Sequence, residues 1–158
     1  MKKLRTILTL FVITQFAIIK AEAQPEPVDF KQVENYFLKN DVKLVSGFNC
    51  WAIMNLAQYN KLFAPAKTAS NKVTPPTFAT QTVVAVAMPQ TMRTTTVIID
   101  KIEMSGSILQ VHCRVVYGEN LSYKMQPLTI ATVDRMSFIK TIAFYNSDNK
   151  LIKAMPAK

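Results

Sequence analysis

Few side chains in this sequence are of the types that commonly carry out chemistry. There is one histidine, His112, and there are two cysteines, Cys50 and Cys113, among 158 residues. A nucleophilic cysteine needs a base within hydrogen-bonding distance. His112 and Cys113 are neighbours in a predicted strand, so their side chains point to opposite faces. We expect no Cys–His pair, and the only arrangement that would suit an enzyme is His112 beside a carboxylate across a sheet.

Metal centres and paired carboxyl groups are not indicated either. Zinc sites use clustered Cys and His ligands, which one histidine and two distant cysteines do not supply. Glycoside hydrolysis needs two facing carboxyl groups. Asp100 and Glu103 have opposite parity in a predicted strand, so we expect them on opposite faces. Phosphate-binding loops are glycine-rich, whereas the chain has three glycines. We predict a protein that is not an enzyme and that uses no metal and no cofactor.

The two cysteines allow one disulfide. An even number of cysteines in an exported protein permits such a bridge. Because Cys50 and Cys113 are far apart in the sequence, the bridge would close a long loop and could stabilise the fold by about 3–4 kcal/mol. The alternative is that both remain buried thiols that pack as small apolar side chains. The sequence leaves the two interpretations open.

The first 23 residues have the layout of a secretory signal peptide. A basic start, Met1 to Arg5, precedes an apolar run from Ile7 to Ile19, and Ala21-Glu22-Ala23 follows as an A-x-A cleavage motif. The run has 13 residues, fewer than the roughly 20 that span a bilayer as a helix. We therefore predict a signal peptide at 1–23 and an exported protein, periplasmic or extracellular, with no stable membrane span after cleavage.

Charge is the next property that limits the function. The formal net charge is +9, and four basic residues and one acidic residue lie in 1–23, which leaves +6 for residues 24–158. The basic residues are scattered and do not alternate with aromatic residues in a run, so we expect no nucleic-acid partner. A moderately basic surface does favour anionic partners. Binding to an anionic glycan or lipid is therefore one hypothesis for the function.

The elements that must position these residues are mostly strands. A short helix is predicted over 56–63, where Asn55 and Gln58 have nearly the spacing of a capping box. The segment 83–87 is apolar throughout, which is typical of a central strand covered on both faces. Turn residues separate further runs rich in β-branched residues. The predicted strands are 48–54, 83–87, 94–102, 108–117, 138–145 and 151–155, with turns at 105–106, 118–120 and 146–149. The segments 121–125 and 128–133 are predicted as two further strands or as one strand interrupted by Pro127.

These elements predict one mostly-β domain over residues 24–158, sandwich-like, with about seven strands and one short helix. Residues 24–46 form an entry segment whose periodicity suits a short helix or a strand. Residues 64–76 are predicted as a loop that ends in Pro75-Pro76. The predicted core consists of Trp51, Ile53, Val84, Val86, Val97, Ile99, Leu109, Val111, Val115, Ile142 and Phe144.

Part of this pattern resembles a known family. The helix at 56–63, the proline-rich loop, Thr82 to Ala87 and Leu109-Gln110-Val111 resemble the C-terminal domain of PrcB-like proteins. Those are small exported proteins associated with protease complexes. The resemblance extends over about 55–130, and Gly118 to Tyr123 also looks like small secreted proteins of unknown function. Thr91 to Thr94 stands where that family is expected to have a glycine-rich loop. The resemblance implies an exported module that binds or modulates a protease or another cell-envelope protein.

The candidate contact residues lie in the predicted loop at 88–95. This loop joins two apolar strands and combines a proline, flexible methionines and an arginine, a composition that suits contact with a partner. The structural alternative is an ordinary connection between strands. The predicted partner-binding residues are Pro89, Gln90, Thr91, Met92 and Arg93.

Overall fold

A computed structural model of the chain describes residues 24–66 and 73–157. The predicted signal peptide at 1–23 and part of the predicted loop at 64–76 lie outside the described residues. The fold is mostly β, as the sequence predicts, with eleven strands and one helix in the described part. The strands are β1 (Glu26–Pro27), β2 (Phe30–Gln32), β3 (Tyr36–Leu38), β4 (Asn49–Ile53), β5 (Phe63–Pro65), β6 (Gln81–Ala87), β7 (Thr91–Ser105), β8 (Ile108–Met125), β9 (Leu128–Asp134), β10 (Thr141–Tyr145) and β11 (Leu151–Pro156), and the helix α1 is Leu56–Leu62.

Two sheets form the sandwich. One has the order β1-β7-β8-β10-β11, and the other has the order β2-β9-β6-β4. A third, two-stranded sheet pairs β3 with β5. All neighbouring strands are antiparallel except β8 and β10, which run parallel. The β7–β8 hairpin is the longest unit, and it turns at Gly106, whose φ of +58° suits glycine.

The central strand β6 explains why the domain has two hydrophobic clusters. Val84 and Val86 face the other sheet and join the cluster between the two sheets. Val83, Ala85 and Ala87 face the opposite side and join a second cluster beneath α1 and β3. A strand covered on both faces has no polar alternation, which is what the sequence of this segment predicts. Every residue from Thr82 to Ala87 is buried.

The helix α1 closes the second cluster. Asn55 caps its start by accepting a hydrogen bond from the Gln58 backbone N–H (2.9 Å), and the Gln58 side chain accepts one from the Met54 N–H (3.3 Å). Tyr59 is the buried residue of α1, and its ring is fully buried and packs among other aromatic rings. Trp51, predicted for the core, is half-buried on this side, because its neighbour Cys50 takes the inner face of β4.

The sequence left a helix and a strand open for the entry segment, and the structure forms three short strands there, since β1, β2 and β3 each pair with a later strand. Several predicted boundaries are wrong. The start of the predicted 64–76 loop belongs to β5. The predicted turn at 118–120 is absent, because β8 continues through it to Met125. The predicted loop at 88–95 is a connection of three residues, 88–90, since β7 already begins at Thr91.

The outer edge of β4 is held by side chains of β11. Lys153 Nζ donates to the Cys50 carbonyl (3.1 Å), and the Ala52 N–H donates to Met155 Sδ (3.1 Å). These bonds occupy backbone groups that an edge strand leaves unpaired. They also fix the four-stranded sheet over the β10–β11 side of the other sheet.

Candidate functional site

The predicted contact residues lie at the open end of the β7–β8 hairpin. There Thr91 pairs with Met125, Arg93 with Asn120 and Thr95 with Tyr117. Over this stretch β8 uses more residues than β7, so the ladder is interrupted by bulges. Bulges twist a strand and redirect its side chains. Tyr123 falls in the largest of these bulges, opposite Met92.

We call Met92, Arg93, Tyr117 and Tyr123 the hairpin-end surface. All four are exposed, although three of them have large apolar side chains. Met92 is 52% exposed, Tyr117 is 54% exposed and Tyr123 is 63% exposed. Tyr, Arg and Met are enriched in protein–protein interfaces. The hairpin end therefore has the composition of a binding surface.

Arg93 is held in place at the centre of this surface. Its Nε donates to the Gly118 carbonyl (2.6 Å), and its guanidinium carbon lies 5.2 Å from the centroid of the Tyr117 ring. The ring and the cation attract one another at this distance. Gly118 lets the strands approach closely, because a Cβ there would lie 3.0 Å from the Thr94 Cβ. The glycine thus brings its carbonyl within reach of Arg93.

The structure divides the five predicted residues. Met92 and Arg93 belong to the exposed surface, and Gln90 is exposed beside it. Pro89 and Thr91 are half-buried, and the Thr91 hydroxyl accepts a hydrogen bond from the Arg93 N–H (3.2 Å). Tyr117 and Tyr123 were missed. Tyr117 ends the regular alternation over 108–117 and Tyr123 lies beyond it. The sequence shows one tyrosine on each side of Gly118, but their place beside Arg93 depends on the bulges in β8.

A second group of polar side chains covers the outer face of the five-stranded sheet. His112 Nε2 lies 3.3 Å from Glu103 Oε2, and Lys101 Nζ lies 2.8 Å from the same carboxylate. The His112 ring stacks on Tyr145 with centroids 5.3 Å apart and planes inclined by 18°. This is the cross-strand pairing of His112 with a carboxylate that an enzyme would need, and it is equally the arrangement of a structural ion pair.

Asp100 joins this face, contrary to the prediction from strand parity. Its Oδ1 lies 2.6 Å from Arg114 Nε, and Arg114 is two residues from His112 on the same face of β8. The reason is a bulge between Ile99 and Lys101, which adds one residue to β7 and changes its parity. Asp100 and Glu103 therefore share a face.

The protonation of His112 is set mainly by burial. Its pKa is lowered from the ordinary value of 6.5, first by desolvation and then by the nearby Lys101, while Glu103, Asn149 and Asp100 act in the opposite direction. A neutral imidazole is thus favoured at neutral pH. The His112 imidazole can hold or release a proton. The charged side chains around it already form ion pairs, Lys101 with Glu103 and Arg114 with Asp100.

The cysteines are both buried, and both are free thiols. Burial raises the pKa of Cys50 to about 12 and that of Cys113 to about 11. The Cys113 thiol donates to the Tyr145 carbonyl (3.3 Å). In the structure the two thiols are not bonded to each other, and both side chains belong to one cluster between the sheets.

One end of the sandwich contains a cavity of about 250 Å³. Its floor includes Leu109, Val133 and Ile142, and Asp134 and Arg135 lie at its polar side. The Arg135 guanidinium already donates to the Phe78 carbonyl (3.1 Å). The cavity is below the usual size range of small-molecule sites, about 300–1,000 Å³, and we assign it no ligand.

The described part of the chain has neither a membrane-spanning helix nor a group of metal ligands. Its one helix, α1, has seven residues and is too short to cross a membrane. Within 24–66 and 73–157, no three His, Cys, Asp or Glu side chains are grouped as metal ligands. Comparison of the chain with family models, with curated proteins and with solved structures finds no match.

Proposed function

We propose that this chain is an exported, non-catalytic protein-binding module and that its partner contacts the hairpin-end surface. The observation that carries the proposal is that Met92, Arg93, Tyr117 and Tyr123 are exposed together at one end of the longest hairpin. In such surfaces a few Tyr and Arg residues usually supply most of the binding free energy. The surface lies on two strands that pair with each other, which suits a preformed site.

The orientation of Arg93 indicates what the partner should offer. Its Nε is bonded to Gly118 and its plane lies near Tyr117, so little side-chain entropy is lost when a partner binds. Its terminal nitrogens donate to no acceptor among the described residues. A guanidinium in this state can form a bidentate pair with a carboxylate. We infer a partner that presents a carboxylate next to an apolar side chain.

The class of partner follows from the resemblance to PrcB-like proteins. That resemblance supports a protease or another protein of the cell envelope. Export is supported by the layout of residues 1–23. The role we infer is to hold or modulate this partner, since the hairpin-end surface contains no nucleophile–base pair.

A pair of matched variants tests the proposal. Replacing Met92 and Arg93 by alanine should weaken binding to the captured partner by about tenfold or more, the effect of losing interface residues worth over 1.4 kcal/mol. The control replaces Lys150 and Leu151, because Leu151 is also 52% exposed. The partner is first isolated with the wild-type chain, and dissociation constants are then measured by titration calorimetry. Equal affinities for the two double variants would contradict the proposal.

A second candidate function is a basic module that binds an anionic glycan or lipid. The formal charge of +6 over residues 24–158 favours it. Binding of this kind should disappear at about 1 M salt, where the screening length is about 3 Å. Binding through the hairpin-end surface should persist there, since most of its area is aromatic and aliphatic. Binding to anionic vesicles and to heparin resin, measured at low and at high salt, distinguishes the two candidate functions.

A further inference from the structure

Cys50 and Cys113 belong to one hydrophobic cluster, to which they contribute from different sheets of the sandwich. Cys50 lies on β4, the edge strand of the four-stranded sheet, and Cys113 lies on β8 in the five-stranded sheet. Each is 1% exposed, and both belong to the hydrophobic cluster between the sheets. The two thiols therefore lie in one core, close enough that Cys113 adds to burial in raising the pKa of Cys50, and they come from segments that are distant in the sequence.

Cys50 and Cys113 both make hydrogen bonds with the β10–β11 hairpin. Cys50 is bonded through its carbonyl to Lys153, and Lys153 pairs with Phe144 of β10. The Cys113 thiol donates to the carbonyl of Tyr145, the next residue of β10. Cys50 is thus bonded to a side chain of β11 and Cys113 to the backbone of β10, at adjacent positions of the β10–β11 ladder. A disulfide that joins two facing sheets through the core is an established arrangement in β-sandwiches.

We propose that Cys50 and Cys113 form an intersheet disulfide in the mature protein. The proposal rests on the export that is part of the proposed function, because disulfides persist in oxidising compartments. An S–S bond forms between the two Sγ atoms as both S–H bonds break. The two electrons and two protons pass, by thiol–disulfide exchange, to a disulfide oxidant, which is reduced to two thiols.

The bridge should form during folding. The thiolate is the attacking species in the exchange, and burial keeps both thiols protonated in the folded chain, with pKa values of about 12 and about 11. The folded, reduced protein should therefore react slowly with an oxidant. For the same reason of access, the folded, oxidised protein should resist reduction. Before the core forms, the thiols are neither buried nor kept protonated by burial, so both oxidation and reduction can proceed.

The test compares refolding in two buffers. The whole chain is expressed, purified, unfolded, and refolded either with reduced and oxidised glutathione or with a strong reductant. We expect the oxidised sample to lack free thiols, to be lighter by about 2 Da through loss of two hydrogens, and to melt about 10 °C higher because a long loop is closed. Cys50→Ala and Cys113→Ala are the matched controls, and each should melt at the same temperature in both buffers.

Two results would overturn the bridge. One is a wild-type chain that retains two titratable thiols after oxidative refolding. The other is a bridge found only between separate chains. Thiol counting on protein isolated from its natural source separates this proposal from the export on which it rests. If the protein from its natural source has free thiols but forms the bridge on refolding, the two cysteines can pair and the proposed export is contradicted.

Discussion

The position of Arg93 on the hairpin-end surface is fixed by the packing of β7 against β8. Its position depends on Gly118, whose missing side chain allows β7 and β8 to approach and whose carbonyl accepts the Arg93 Nε–H. The ring of Tyr117 then lies beside the guanidinium. An exposed arginine that is already ordered loses less entropy on binding than a free one. This is why we place Arg93 at the centre of the proposed interface.

His112 gives a prediction about pH. Its pKa in the folded chain is lowered, first by burial, so the unfolded chain binds its proton more readily below about pH 6.5. The free energy of unfolding should therefore fall as the pH decreases through 6.5 toward the lower pKa of the folded state. His112→Gln removes this contribution, so its stability should depend less on pH between 7 and 5.

Urea unfolding of both proteins at several pH values checks this prediction. The groups that face His112 are Lys101, Glu103, Asp100, Tyr145 and Asn149. Their own titrations are common to the two proteins and largely cancel in the difference. Parallel pH profiles for the wild-type chain and the variant would show that burial does not disfavour the charged imidazole.

At the scale of elements, α1 and its aromatic contacts close the second cluster. The Tyr59 ring centroid lies 5.1 Å from that of Tyr36, 5.1 Å from that of Phe63 and 5.7 Å from that of Phe78. Tyr59→Ala should lower the free energy of unfolding by about 3–5 kcal/mol, since it removes a large buried ring and leaves a cavity. Tyr59→Phe keeps the ring and serves as the control.

Chemical denaturation of the two variants measures this effect. We expect the midpoint of Tyr59→Ala to shift far more than that of Tyr59→Phe, with a similar slope for both. If Tyr59→Ala costs less than about 1 kcal/mol, well below the usual range for such a truncation, the second cluster does not contribute to the stability of the sandwich as we describe it.

The elements also show which features the sequence could predict. The uninterrupted apolar run of β6 predicts burial on both faces, and Asn55 with Gln58 predicts the start of α1, because these patterns depend on local chemistry. The bulge at Asp100 depends on pairing with a distant strand, so parity counted along β7 fails there. Gly118 is typical of a turn, but here it serves close contact with Thr94 inside a continuous strand.

The same limit applies to the candidate site. Met92 and Arg93 could be predicted from composition, because a methionine and an arginine between apolar strands stand out in sequence. Tyr117 and Tyr123 could not, since their place beside Arg93 comes from bulges in β8 that only the pairing defines. The inner-face position of Cys113 follows from alternation, whereas its position opposite Cys50 requires the packing of the two sheets.

On the scale of the whole molecule, two sheets packed around one core support one exposed hairpin end. Side chains of β11 occupy the free edge of β4, which removes one edge that could pair with another chain. The hairpin-end surface keeps exposed apolar groups without such a cover. The edge of β4 is covered, whereas the hairpin-end surface is not. The proposed binding role explains why this aromatic surface stays exposed.

Site-specific photocrosslinking in the natural source tests this central claim most directly. Benzoylphenylalanine is introduced at Tyr123, which is 63% exposed, and at Phe138, which is 52% exposed and lies between β9 and β10. After irradiation, mass spectrometry identifies the crosslinked proteins. We predict that the probe at position 123 gives one predominant partner and that the probe at position 138 does not. The same products from both positions, or no partner from position 123, would contradict the assignment of this surface.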